Sequence, residues 1–165
     1  MSGFLHNWGA VLVAAGGVSV LAFAGMALTP LKSWYYGLRK PAWQPPDWAF
    51  GPAWTGIFIL EAASAVIGWH AVHSAPAAAL LIFVYVANGL CNILWSLLFF
   101  TLRRPDWALA EVGFLWLSVL GMILVLAHDA GSAWIFLLPY LLWVSFASFL
   151  NYTIVRLNAP FGSPA

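Results

Sequence analysis

Charge is scarce in this sequence: 7% of its 165 residues are Asp, Glu, Lys or Arg, against about 25% in a typical soluble domain. So few polar groups cannot cover a folded surface in water, which excludes a soluble globular protein. Basic clusters are missing as well. The net charge of +1 gives nothing to neutralise a phosphate backbone, so nucleic acid is excluded as a partner. The single cysteine, Cys91, cannot form an intramolecular disulfide and reads as a small apolar residue within an apolar run. No His or Cys pair has metal-ligand spacing, and no nucleophile elbow or phosphate-binding glycine loop occurs. The site prediction for a metal is therefore none. No Lys or Arg precedes Lys32, so the first apolar run lacks the basic start of a signal peptide.

What is abundant is apolar sequence, 64% of the chain. A membrane helix needs roughly 20 such residues, and five fit. The predicted fold class is all-α integral membrane, a five-transmembrane-helix bundle forming one domain over residues 1–165. The spans fall at about 8–28, 47–69, 76–101, 105–127 and 132–157, with a structured loop at 29–46. Pro41, Pro45 and Pro46 block helix continuation in that loop. Asp47 is a candidate N-cap for the second span, and Pro76 suits the first turn of the third. Pro139 falls inside the fifth, where a kink is expected.

Five spans put the 29–46 loop, the loop after the third span and the C-terminus on one side. That side holds Lys32, Arg39, Lys40, Arg103, Arg104 and Arg156, every Lys and Arg in the chain. Positive residues favour the cytoplasm, so the expected topology has the C-terminus cytoplasmic and the N-terminus outside. His6, His70, His73 and His128 fall at or near the opposite side.

Polar groups are expensive within lipid, so each one in a span is a candidate site or helix contact. The second span carries Trp54, Phe58 and Glu61 on one face; the third carries Asn88, Asn92, Trp95 and Phe99. A similar stripe in the fourth comprises Trp107, Glu111, Phe114 and Ser118, and in the fifth Tyr140, Trp143, Ala147, Leu150 and Asn151. Taken singly, each residue is accounted for by helix-to-helix packing. Trp8, Trp34, Trp48, Trp69 and Trp134 fit interfacial anchoring, whereas Trp54, Trp95, Trp116 and Trp143 lie too deep for it. Four converging stripes predict an aromatic cavity for a flat apolar ligand. Glu61 and Glu111, on different helices at different depths, do not make a proton pathway, and structural hydrogen bonding is expected of them. Small residues four apart, such as Ala10 and Ala14, Ala15 and Ser19, and Ala87 and Cys91, allow close helix approach within the chain or in a dimer.

Trp34-Tyr35, Leu38, Lys40-Pro41, Trp43, Pro45-Pro46, Trp48 and Trp54 read as WY-x2-L-x-KP-x-W-x-PP-x-W-x5-W. Asn92-x2-Trp95 with Phe99-Phe100 follows, and then Pro139-Tyr140-x2-Trp143 with Leu150-Asn151-Tyr152. In that order the chain resembles the TspO/MBR family, the tryptophan-rich sensory and translocator (peripheral-type benzodiazepine receptor) proteins. The resemblance implies a five-helix bundle, a homodimer in contact with membrane lipid, and tetrapyrrole ligands such as protoporphyrin IX and haem. No obligatory cofactor is implied. A bacterial cell membrane is the expected location. Carried over by motif position, the ligand-binding residues would be Tyr35, Trp43, Trp54, Phe58, Asn92, Trp95, Trp143 and Ala147. Ala42 stands where some bacterial relatives have tryptophan, and Phe58 where tyrosine is common.

Within this resemblance, porphyrin sensing, transport or sequestration is the expected function. Arg39 and Lys40 are the candidates for pairing with the propionates. A light-dependent porphyrin-degrading enzyme is the alternative, with Trp54 and Trp143 as candidate catalytic groups. A second alternative is a regulator binding sterol or another lipid, since Leu150, Tyr152 and Arg156 fit the loose cholesterol motif. A scaffold regulating a membrane partner would leave the cavity incidental.

Overall fold

A computed structural model describes residues 2–161, with side chains from Trp8 onwards; the side chain of His6 lies outside the described residues. Helix α1 is Ser2–Leu28, a short α2 is Ser33–Gly37, and α3 is Phe50–Ala71. Helices α4, α5 and α6 are Ala75–Ser96, Pro105–Asp129 and Leu138–Asn158. With their flanking turns, five segments of 21 to 27 residues are long and apolar enough to cross a bilayer. Among the described residues there is no strand, as hydrocarbon demands of a chain with no closed barrel.

Local chemistry sets the helix ends. The Ser74 hydroxyl accepts the Ala77 amide at 3.3 Å, and Pro76 sits in the first turn of α4. Pro105 opens α5, and Asp106 in its first turn binds Arg104, accepting from Nε at 2.8 Å and also from Nη2. A carboxylate is favoured there by the helix dipole. Two ends differ from expectation. Asp47 does not cap; it opens a 3₁₀ turn, Asp47–Ala49, and its carboxylate is taken by Tyr35 instead. Pro139 makes no mid-helix kink. The chain enters the fifth span through a 3₁₀ segment, Ala133–Leu137, which places Pro139 in the first turn of α6, where its missing N–H costs nothing. At its far end α4 widens into a π-turn over Leu97–Thr101.

The spans form a ring: α1 lies against α3 and α4, α4 against α5, α5 against α6, and the start of the fifth span returns to α3. Helix α5 is the best-buried element, with Val119, Met122 and Leu126 fully enclosed beside Leu137, Tyr140 and Val144. Helix α1 buries none of its described side chains. It meets α4 where Gly89 allows close approach: a Cβ there would come within 3.0 Å of Leu21.

Polar side chains tie the ring together through its middle. Asn92 Nδ2 donates to Tyr140 Oη at 3.1 Å, Tyr140 to Asn88 Oδ1 at 3.2 Å, and Asn88 to Ser118 Oγ at 2.9 Å. Nearer the loop, Trp95 Nε1 donates to Asn151 Oδ1 at 3.2 Å, and Asn151 Nδ2 to the Pro105 carbonyl at 2.9 Å. With no water to compete, such bonds hold helices together at about 0.6–2 kcal/mol each.

Candidate functional site

Beneath the 29–46 loop, α1, α3, α4, α5 and α6 enclose a cavity of about 410 Å³, within the roughly 300–1,000 Å³ usual for small-molecule sites. Its aromatic furniture comes from three helices and the loop. Trp54 and Phe58 on α3 lie 5.4 Å apart, and Trp54 meets the Trp143 ring of α6 edge-on at 6.4 Å. From α4 comes Trp95, and from the π-turn Phe100, whose rings meet edge-on at 5.9 Å. In that wider turn both Phe99 and Phe100 find aromatic neighbours; Phe99 stacks on Trp95 at 5.2 Å. Asn92, locked by Tyr140, also lines the cavity, as do Ser96, Thr29 and Thr55.

The roof is held by hydrogen bonds. Tyr35 Oη donates to Asp47 Oδ1 at 2.9 Å and accepts from Gln44 Nε2 at 3.2 Å. Burial and the Asp47 carboxylate push the Tyr35 phenol well above its ordinary pKa, so the donor stays protonated throughout the neutral range. Lys40 Nζ lies 3.5 Å from the centre of the Tyr35 ring, a cation–π contact, and desolvation lowers its pKa against the opposing pull of Asp47. The loop is fastened at its other end to α6: the Arg39 amide donates to Asn158 Oδ1, and Asn158 Nδ2 to the Arg39 carbonyl, both at 2.8 Å.

Of the eight residues expected to bind ligand, seven line this cavity: Tyr35, Trp54, Phe58, Asn92, Trp95, Trp143 and Ala147. Trp43 does not. It stacks on Phe149 at 5.2 Å, on the outside of α6, and is half exposed. Its link to the cavity runs through Phe146, which touches both Trp43 and Trp143. Arg39 and Lys40 are also outside the lining, and the cavity's charged lining residue is Asp47. No Lys or Arg is among the cavity's described lining residues, and Lys40 Nζ sits over the Tyr35 ring. Leu150 is turned into a core with Tyr35, Phe99 and Ile154, whereas Tyr152 and Arg156 are exposed on another face of α6 and bond to each other. The three sterol-motif residues do not form one surface.

The fourth-span stripe divides. Glu111 faces inward, but Trp107 and Phe114 are exposed, with the Arg104 guanidinium 4.2 Å over the Trp107 ring. Trp116 takes no part in the cavity; its indole donates to Ser145 at 2.8 Å and joins α5 to α6. The two buried carboxyls differ: Glu111 has the Cys91 thiol of α4 as its hydrogen-bonding neighbour, whereas Glu61 Oε2 is buried without a hydrogen-bond partner among the described residues. Among those residues, no cluster of three or more His, Cys, Asp or Glu could hold a metal ion.

Sequence reasoning did not single out several other lining residues. Leu21, Gly25 and Met26 of the first span close one wall. That span has a nearly uniform apolar surface, so nothing in its pattern marks the inward face.

Residues 10–157 match the TspO/MBR family. The chain is 39% identical over 142 residues to the tryptophan-rich protein TspO of Chlorobaculum tepidum, covering 84% of this chain and 89% of that one. It is 33% identical over 152 residues to the tryptophan-rich sensory protein of Cereibacter sphaeroides, covering 92% and 93%. Identity to the translocator protein of Homo sapiens is 29% over 126 residues, covering 76% and 75%.

Proposed function

From the premise that the chain belongs to the TspO/MBR family of multi-pass membrane proteins, we propose that its loop-side cavity binds a tetrapyrrole, protoporphyrin IX or haem, for sensing, transport or sequestration. The observation that carries this reading is the convergence of Trp54, Trp95, Trp143, Phe58 and Phe100 on one cavity under a hydrogen-bonded roof. Aromatic walls suit a flat macrocycle, since offset and edge-on ring contacts contribute beyond buried area. The names of two relatives, sensory protein and translocator protein, agree with a ligand-responsive membrane protein.

In this reading the chain binds and orients; the ligand needs no ligating histidine. Asn92 is held in place by Tyr140 and supplies a polar contact to the ring. The ligand's carboxylates meet water at the loop rim, where Arg39 and Lys40 attract them from outside the cavity. Their charge acts as steering, which is screened by salt. The loop and C-terminus face the cytoplasm, because every Lys and Arg lies at that end.

Titrating protoporphyrin IX and haem into the purified chain in lipid nanodiscs, with tryptophan emission as readout, tests the proposal. Saturable quenching with one site per chain is expected. Quenching that stays linear in ligand would overturn it. Illuminating the complex separates binding from porphyrin degradation: a catalyst forms product in light, in proportion to occupancy, and loses this on Trp54→Phe and Trp143→Phe. A binding protein retains the porphyrin.

A further inference from the structure

A second and larger cavity, about 720 Å³, lies in the half of the bundle remote from the loop, between α1, α3 and α4. Its walls are mostly aliphatic and small, with Trp69 and Tyr85 the aromatic exceptions. Helix α1 supplies Gly9, Ala10, Ala14 and Gly17, which lean over the space without filling it. Val13 and Val20 on α1 and Ile82, Val86 and Leu90 on α4 line it and are exposed. The cavity therefore opens sideways, toward lipid.

One lining group does not belong in such surroundings. Glu61 projects from α3 into this space, is 2% exposed, and leaves Oε2 without a hydrogen-bond partner among the described residues. Two tyrosine hydroxyls of this region are engaged elsewhere: Tyr85 with Ser64 at 2.6 Å, and Tyr140 with Asn88 and Asn92. No Lys, Arg or His is among the cavity's described lining residues. A buried carboxyl without a partner is costly, and in a membrane span it marks a site. The partner that would satisfy it is a cation with donor hydrogens, reached through the apolar opening formed by the exposed lining residues.

We propose that this cavity is a binding site for a lipophilic amine, held as its ammonium by the Glu61 carboxylate with its hydrocarbon body against α1 and α4. An ammonium brings both charge and three donors, and in a dry site a charge-assisted hydrogen bond outweighs a neutral one. This site is separate from the loop-side cavity and does not depend on what binds there.

The test is calorimetric titration of the full chain in zwitterionic nanodiscs with n-decylamine, with empty discs as reference and 1-decanol as the neutral control. Wild type should show a saturable site for the amine. Glu61→Gln should weaken it at least about tenfold, equivalent to about 1.4 kcal/mol, whereas Glu61→Asp retains most of the binding. Ala65→Phe, which fills the cavity, should abolish it. Decanol should bind wild type and Glu61→Gln alike. Unchanged thermal unfolding midpoints establish that the variants are folded. The proposal is overturned if wild type takes up amine no better than empty discs, if Glu61→Gln binds it equally well, or if decanol loses as much as decylamine.

Discussion

The two halves of this bundle share their helices but are furnished differently. Toward the loop, α3, α4 and α6 present Trp54, Trp95 and Trp143, and Tyr35, Gln44 and Asp47 close the roof with hydrogen bonds. Away from the loop the same α3 and α4 present Ala62, Ala65 and Gly89, the gap opens to lipid, and Glu61 is the one acid. Leu21 of α1 lines both spaces and marks their boundary. The contrast teaches that one scaffold can hold two chemically different spaces: rings line the one proposed for a flat macrocycle, and small side chains around a carboxyl line the one proposed for an amphiphile.

The largest effect should follow from removing a ring of the loop-side slot. Trp143→Ala strips a wall and its contact with Trp54, and we expect porphyrin affinity to fall about thirtyfold, roughly 2 kcal/mol. Amine binding in the far half should be untouched; parallel titrations of both ligands check this. A comparable loss of both ligands would mean the two spaces act as one.

Asn151→Ala should come next, and in stability. It orphans the Trp95 indole N–H and the Pro105 carbonyl, at a cost of about 1–2 kcal/mol, read by reversible unfolding in detergent. The loss should be accompanied by weaker porphyrin binding, because Trp95 is no longer held.

A smaller effect is expected at the roof. Tyr35→Phe removes the tie to Asp47, worth about 1 kcal/mol. The pH dependence follows from the raised Tyr35 pKa. Below the ordinary value of 10.0, the phenol is protonated both folded and unfolded, and its contribution is complete. Above that pH the unfolded chain loses the proton while the fold retains it, so stability falls as pH rises. Thermal midpoints at pH 9 and pH 11 should diverge more in wild type than in Tyr35→Phe. Arg39→Ala should matter least, below about twofold in porphyrin affinity and only at low salt, because the side chain is outside the cavity and the backbone bonds to Asn158 survive.

Much of this is legible in the sequence. Hydrocarbon admits only long apolar helices, so five runs gave five spans, and a tryptophan too deep to anchor at an interface had to be packing or binding. Trp54, Trp95 and Trp143 met that criterion and converge; Trp116 met it too, yet is spent on a bond to Ser145. The direction of each face was harder to read. In lipid, Phe114 loses nothing by pointing outward, so helical spacing with Glu111 did not guarantee a shared inward role. Trp43 stacks on Phe149 and not in the cavity lining, because a loop residue's motif position does not specify which side of α6 it covers. The far cavity was invisible for a similar reason: Ala10 and Ala14 read as helix contacts, whereas in the fold α1 leaves the space beside them open. Glu61 was noticed, but whether it had a hydrogen-bond partner is a question of geometry.

The most direct check of the loop-side account is a variant that fills the slot while removing no existing contact. Ala147→Phe adds a ring on the cavity face of α6. Protoporphyrin IX titration followed by tryptophan emission should show saturable quenching in wild type and none in Ala147→Phe, with thermal midpoints alike. Equal quenching in the two proteins would contradict the account, because the porphyrin would then be bound somewhere other than this cavity.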